Sequence, residues 1–474
     1  MRNNINPPQS PLVRGEVFGG YLKSPQVFSS SPVKGRLGGV VSMLILLLIL
    51  SALPCNAQAQ DRDLLDLYKL AKVKDPLVSR AEARLEGVKA DKDIAWAALL
   101  PRISANGAVR QLWHKVENYS AGDIDGEFTG YSYGMGGTLS FLNIPAYYQI
   151  SSADKGISSA DAGIQAARQD LIVRLLDAYL SCLKANADEK LYKIELNRVE
   201  KVQEQAQAFL TAGTGDIIAV YEAKARLDSA SADLVKTQGQ LRLAQQNLAS
   251  LTGIMVDTVK DIDVVNTAGP EPAELEWWIE TMQQRSPALM QAREDLLQAE
   301  QSSKAARAGH YPTIQGNGGY TVDKGSTFLP KVETQQWYTG IRIDVPIYSG
   351  GDTSARTRRA LAGESERRAQ LNDTQEKAIA RLKEAFLNLQ YNSSLVDAYK
   401  RKHESADLQL KAVQRGRDIG TRTAIDLLNA EQGYAVSLRD LTSSRYDIIL
   451  KQIELKAAAG ILSEADLAAV NNQR

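Results

Sequence analysis

The chain has 474 residues, 56 basic against 56 acidic side chains, and aromatics at only 6% of positions. A net charge of zero excludes the basic footprint of a nucleic-acid-binding protein. The abundance of Ala, Leu, Gln, Lys, Glu and Arg is that of long helices packed through small side chains.

In chain order, residues 1–33 are rich in Pro, Gly and Ser, and Ser10-Pro11-Leu12-Val13-Arg14-Gly15 is echoed by Ser31-Pro32-Val33-Lys34-Gly35. This stretch has no core-forming pattern and is excluded from the fold, as if translation began further downstream. An apolar run over 40–53 follows Lys34 and Arg36 and precedes Ala57-Gln58-Ala59, the build of a secretory signal. The run is too short for a membrane-spanning helix. Cys55 raises a lipid anchor, which Pro54 beside it fits badly. Cys182 is then the one mature cysteine, which excludes an intrachain disulfide, and its helical surroundings read as a small buried apolar site. No other apolar run approaches membrane-helix length, so any membrane span must be built of strands.

From residue 60 onward the text is written twice. Lys74-Asp75-Pro76-Leu77 returns as Arg285-Ser286-Pro287-Ala288, and Leu100-Pro101-Arg102-Ile103 as Tyr311-Pro312-Thr313-Ile314, with equal spacing between the prolines of each pair. Ala212-Gly213-Thr214 returns as Ile419-Gly420-Thr421, and Thr252-Gly253-Ile254 as Ala459-Gly460-Ile461. The repeats are 60–254 and 273–461, joined by a polar linker over 255–272 and followed by a tail over 462–474.

Each repeat predicts the same order of elements. A helix of about 35 residues ends before Pro101 or Pro312, because proline disfavours a helical residue ahead of it. Two strand segments follow, 103–119 and 127–141 in the first repeat, 313–322 and 337–347 in the second. Turn-forming loops lie between them at 120–123 and 323–326. A very long helix then runs over 152–211 or 352–417, about 90–100 Å at 1.5 Å per residue. After a glycine-containing break, a helix of about 35–40 residues returns. Leu382, Phe386, Leu389 and Val396 carry coiled-coil spacing.

Four strands are too few to close a barrel, and open strand edges cannot face lipid because unpaired backbone groups there cost several kcal/mol each. Three chains would supply twelve strands, a workable barrel. Aromatics gather on these segments, among them Trp113, Tyr131, Tyr133, Tyr320, Trp337 and Tyr338, as at a membrane–water boundary. The competing reading is an envelope coiled-coil rod without a pore. Catalysis has little footing. The three histidines are scattered. Gly130-Tyr131-Ser132-Tyr133-Gly134 has the spacing of a nucleophile elbow but sits in an alternating strand. Asp123-Ile124-Asp125-Gly126 lacks the later ligands of a calcium loop. Neither a metal nor another cofactor is expected.

Several segments, in this order within a duplicated chain, resemble the TolC-like outer-membrane efflux and type I secretion family. They are Gly309-His310-Tyr311-Pro312-Thr313, Val345-Pro346-Ile347-Tyr348-Ser349-Gly350-Gly351, the run Gly420-Thr421-Arg422-Thr423-Ala424-Ile425-Asp426-Leu427-Leu428-Asn429-Ala430, and Ala459-Gly460-Ile461-Leu462. The resemblance implies a mainly α chain that trimerises. A twelve-stranded β-barrel would lie in the lipids of a Gram-negative outer membrane, above a twelve-helix α-barrel crossing the periplasm. It implies a passive duct, not an enzyme, that docks a periplasmic membrane-fusion adaptor and an inner-membrane pump of the ABC or RND type. It also implies a gate at the coil tips, with Arg422 matching a gate arginine and Asp426 a ring aspartate facing the pore. Three carboxylates around a narrow axis favour cations, and an arginine can bridge neighbouring coils. Three positions depart from the pattern: Arg417 replaces a tyrosine, Asn429 a second ring aspartate, and Ala219 a partner aspartate. One acidic ring is therefore expected, with Arg417 pairing Asp426 or Asp216.

Overall fold

The computed structural model describes residues 63–116, 124–262, 267–326 and 329–471. The N-terminal extension, the secretory signal with Cys55 and the loop expected at 120–123 lie outside these residues.

Each repeat opens with two helices where the sequence predicts one of about 35 residues. In the first repeat these are α1 (Leu64–Lys74) and α2 (Pro76–Ala97), interrupted at Asp75. A proline is tolerated in the first turn of a helix but pushes the residue before it into extended backbone, and Asp75 has ψ 123. Asp75 then caps α2 by accepting the N–H of Leu77 at 2.9 Å and of Val78 at 3.0 Å, while Arg174 holds its other oxygen at 2.9 Å. Burial works to raise its pKa, but Arg174 and the two amides outweigh burial and hold the carboxyl below its ordinary value.

A hairpin of β1 (Arg102–Val116) and β2 (Ile124–Leu142) comes next. The long helix α3 (Ile144–Thr211, 68 residues) starts earlier than the predicted 152. The joint Phe141-Leu142-Asn143-Ile144-Pro145 is the reason: Asn143 accepts the N–H of Ala146 as an N-cap, and Pro145 occupies the first turn. α4 (Ile217–Thr252) returns along α3.

The second repeat copies this plan with α5 (Leu275–Arg285) and α6 (Pro287–Ala308), broken at Ser286, then β3 (Thr313–Ser326) and β4 (Leu329–Asp344). The long α7 (Asp352–Asp418, 67 residues), α8 (Ala424–Ala458) and the short α9 (Glu464–Asn471) follow. Three boundaries of this hairpin depart from expectation. Residues 323–326 continue β3 instead of forming the turn, with a register shift between Lys324 and Ser326. β4 begins at Leu329, not 337, because Glu333-Thr334-Gln335-Gln336 is polar on both faces and conceals the strand; it stops at Asp344, short of Pro346.

The strands form one antiparallel sheet in the order β1-β2-β3-β4, so β1 and β4 are its edges. Nearest the helices the register sorts side chains into an apolar and a polar face, and toward the turns Gln111, Glu127, Lys324 and Glu333 join the apolar one. Ile103, Val109 and Trp113 of β1, Tyr133 and Met135 of β2, and Trp337, Ile341 and Ile343 of β4 share one face, and all are more than half exposed. Arg102, Ser104, Asn106, Ser132, Thr321 and Arg342 share the other. Glycines crowd this polar face, and Tyr338 lies across them: a Cβ on Gly319 would sit 2.7 Å from its hydroxyl.

Near the sheet α3 packs between α2 and α6; further along it packs between α4 and α8. α7 packs on α6 and then on α8. The two cores sit at corresponding places, Leu171, Leu175 and Tyr179 of α3 closing on Leu64 and Leu67 of α1, and Leu382, Phe386 and Leu389 of α7 closing on Trp278 and Met282 of α5. Cys182 is free and buried in the first core, and burial pushes its thiol up to about 11. Among the described residues no helix is long and apolar enough to cross a membrane.

Candidate closure at the coil tips

The coil tips lie farthest from the sheet and are tight turns built alike in both repeats. α3 ends at Thr211, and Gly213 turns the chain at φ 73; α7 ends at Asp418, and Gly420 does so at φ 77. A positive φ there is what glycine tolerates without penalty. The N–H groups of Thr421 and Arg422 return to the carbonyl of Gly416 at 2.8 and 3.2 Å, and those of Thr214 and Gly215 to Phe209 at 3.0 Å each.

The returning helices start differently. Asp216 caps α4 by accepting the N–H of Ile218 at 3.1 Å. In α8 the cap is reciprocal: the Asp426 N–H donates to Thr423 Oγ1 at 3.1 Å, while Asp426 Oδ2 accepts from the Thr423 N–H and hydroxyl at 2.9 Å each. These bonds, the backbone one first, hold the Asp426 carboxyl below its ordinary value, so it is charged at neutral pH. Ala219, at the corresponding place in α4, cannot form this box.

Arg422 is fixed by shape. A Cβ on Gly416 would stand 2.7 Å from Arg422 Cγ, so the aliphatic stem lies directly over that glycine. The first repeat inverts the arrangement, with Gly215 under Phe209. The turn therefore brings Arg422, Thr423 and Asp426 together at the tip and leaves the Arg422 guanidinium exposed.

Arg417 and Asn429 fall elsewhere. Arg417 is exposed in the last turn of α7, where a cation suits the helix end. Within one chain and among the described residues, no ion pair joins it to Asp426 or Asp216. Asn429 lies one turn into α8, and its Oδ1 accepts from Arg226 Nη1 of α4 at 3.1 Å. Sequence reading overlooked Arg226, because a lone arginine in a charge-rich helix carries no signal until its neighbour is known.

Above this contact, α3, α4 and α8 enclose a cavity of about 170 Å³ lined by Glu195, Val199, Arg226, Asp233, Leu428 and Arg439. Glu195 Oε2 is buried there without a hydrogen-bond partner, and burial raises the Glu195 pKa. Further links tie α3 to α8: Arg198 to Glu431 at 3.9 Å, Arg439 to the Tyr192 hydroxyl at 3.4 Å, and Lys184 to Asp447 at 2.5 Å. Ser132, the serine of the elbow-like motif, is in mid-strand on β2 opposite Ala108 and Asp323, with no strand-to-helix turn.

This fold of duplicated hairpins and paired long helices matches the family model described as outer membrane efflux protein, over residues 67–254 and 278–461. The chain belongs to that family, and it is an export channel of the Gram-negative outer membrane. It is similar to outer membrane protein TolC of Vibrio cholerae, at 26% identity over 418 residues covering 86% of this chain and 93% of the relative. It is also similar to the alkaline protease secretion protein AprF of Pseudomonas aeruginosa, at 26% identity with 85% of each chain covered. The Campylobacter jejuni CmeC outer membrane channel shares the fold with a TM-score of 0.73 at 16% identity, covering 88% of this chain and 90% of that one. Nothing among these relatives supports the poreless rod.

Proposed function

We propose that three copies of this chain close a twelve-stranded barrel in the outer membrane and a twelve-helix barrel beneath it, forming a passive duct through which small molecules are effluxed or proteins are secreted. The observation that carries this reading is the open sheet. Its two edge strands need partners, its apolar face suits lipid, and its polar, glycine-rich face suits a water-filled interior. The duct does no chemistry and needs no cofactor. A periplasmic membrane-fusion adaptor and an inner-membrane ABC or RND pump would open it and supply the energy.

The coil tips form the constriction in this reading. Asp426, presented by its own cap, gives one acidic ring, and Arg422, over Gly416, reaches toward a neighbouring coil. Arg417 supplies a further cation on the same rim, and Asn429 ties α8 to α4 through Arg226. Purified protein in planar bilayers tests this: stepwise conductance is expected from a detergent-stable trimer, with block by divalent cations that Asp426→Ala abolishes. A water-soluble monomer without affinity for bilayers would overturn the duct, and cation block unchanged by Asp426→Ala would overturn the ring.

A further inference from the structure

One chain contains one complete seam between its repeats, where α3 meets α6, and one seam left open, where α7 and α2 have no such neighbour. The repeats can be placed in register without gaps along these helices. In α3 and α7, Gly156 corresponds to Gly363, Arg174-Leu175 to Arg381-Leu382, and Ala178-Tyr179 to Ala385-Phe386. In α2 and α6, Pro76 corresponds to Pro287, Ala81 to Ala292, Leu85 to Leu296 and Pro101 to Pro312. The closed seam is therefore a template for the open one.

At the closed seam, Ser152 bonds Ser302 Oγ at 2.9 Å, Ser159 bonds the Asp295 carboxylate, and Lys155 pairs with Glu294 at 3.4 Å. A Cβ on Gly156 would stand 3.1 Å from the Gln298 amide. Carried through the register, Ser152 and Ser302 become Arg359 and Asp91. Ser159 and Asp295 become Glu366 and Arg84. Lys155 and Glu294 become Ala362 and Ala83, and Gly156 and Gln298 become Gly363 and Gly87.

Each replacement is matched by its partner. Both polar positions acquire opposite charges, the charged pair becomes two alanines, and the glycine finds a glycine. None of Arg84, Asp91, Arg359 and Glu366 has an ion pair within the chain among the described residues, and all four are exposed. Nothing stands within 4 Å of where a Cβ would be on Gly87 or Gly363. Ala305 is 8% exposed in the closed seam, whereas its counterpart Ile94 is 68% exposed.

We propose that α7 of one chain docks on α2 of a second copy in the register of the α3–α6 contact, with Glu366 pairing Arg84 and Arg359 pairing Asp91 across the seam. This rests on the trimeric reading above and specifies its interface. Opposite charges placed face to face set register and disfavour slipped alignments: a slip of one turn leaves both pairs unmade, and a slip of two turns sets Arg359 against Arg84 or Glu366 against Asp91.

The test is the thermal persistence of the detergent-solubilised full-length trimer on gels and by native mass spectrometry. Glu366→Arg and Arg84→Glu, made singly, each set like charges together, and each should lose the trimer at a temperature where the wild type keeps it. The exchanged pair carrying both substitutions should regain it. Arg359→Asp and Asp91→Arg should behave the same way. A wild type that never trimerises would sink the assembly itself. A stable trimer insensitive to the single reversals, or weakened by them but not rescued by the exchange, would overturn this seam alone.

Discussion

Thr423 and Asp426 hold each other at the start of α8, and this small circuit decides how Asp426 is presented. Removing an N-cap side chain costs about 1 kcal/mol, so Thr423→Ala should speed amide exchange at Asp426 and Leu427 while leaving the cores protected. The Asp426 pKa is depressed in the folded state. Its stabilisation is therefore complete well above the ordinary value of 3.8 and is lost as pH falls through the lower folded value. Amide exchange at the tip should rise in that acid range for the wild type and show no such step in Asp426→Asn. The Gly416 carbonyl anchors the turn, and its missing side chain leaves the space that the Arg422 stem fills. Gly416→Ala puts a methyl where the Arg422 stem lies, so it should shift resting conductance as Arg422→Ala does, and the double variant should add nothing further.

At the scale of elements, the junction of α3, α4 and α8 is charged and partly buried. Glu195 faces Arg198 on its own helix, Arg226 and Asp233 on α4, and Glu431 and Arg439 on α8. Burial raises its pKa, so its ionised form costs stability above the folded value, and that cost disappears as pH falls toward the ordinary 4.5. The junction should tighten between neutrality and that pH, seen as slower amide exchange over 191–199, and Glu195→Gln should be tight across the whole range. None of this was legible in the sequence, because a charged residue in a helix does not announce which helix will face it. The element order was legible, since proline and glycine pairs recur at equal spacing and helix-period runs separate alternating ones. The extended backbone that Pro76 and Pro287 impose on Asp75 and Ser286 was missed, as helix-forming residues continue on both sides of each break. The early part of β4 was missed because a strand whose two faces are both polar has no alternation to read.

On the scale of the whole molecule, the proposed assembly has one seam buried within the chain and a counterpart completed by another copy. Duplication has kept backbone register while letting side chains diverge, so the two seams of a trimer would be alike in geometry and different in chemistry. The hairpins have diverged too. Among the described residues β2 pairs with β3 only from Tyr131 onward, so residues 124–130 are bonded to β1 alone, whereas β3 pairs with β4 up to Ser326 and Leu329. Seven strand residues extend about 23 Å. A mouth assembled from three such chains would be crenellated rather than level, with three tall fins alternating with three low notches. An antibody approaching the cell from outside would then meet the fins of the first hairpin before it reached the opening.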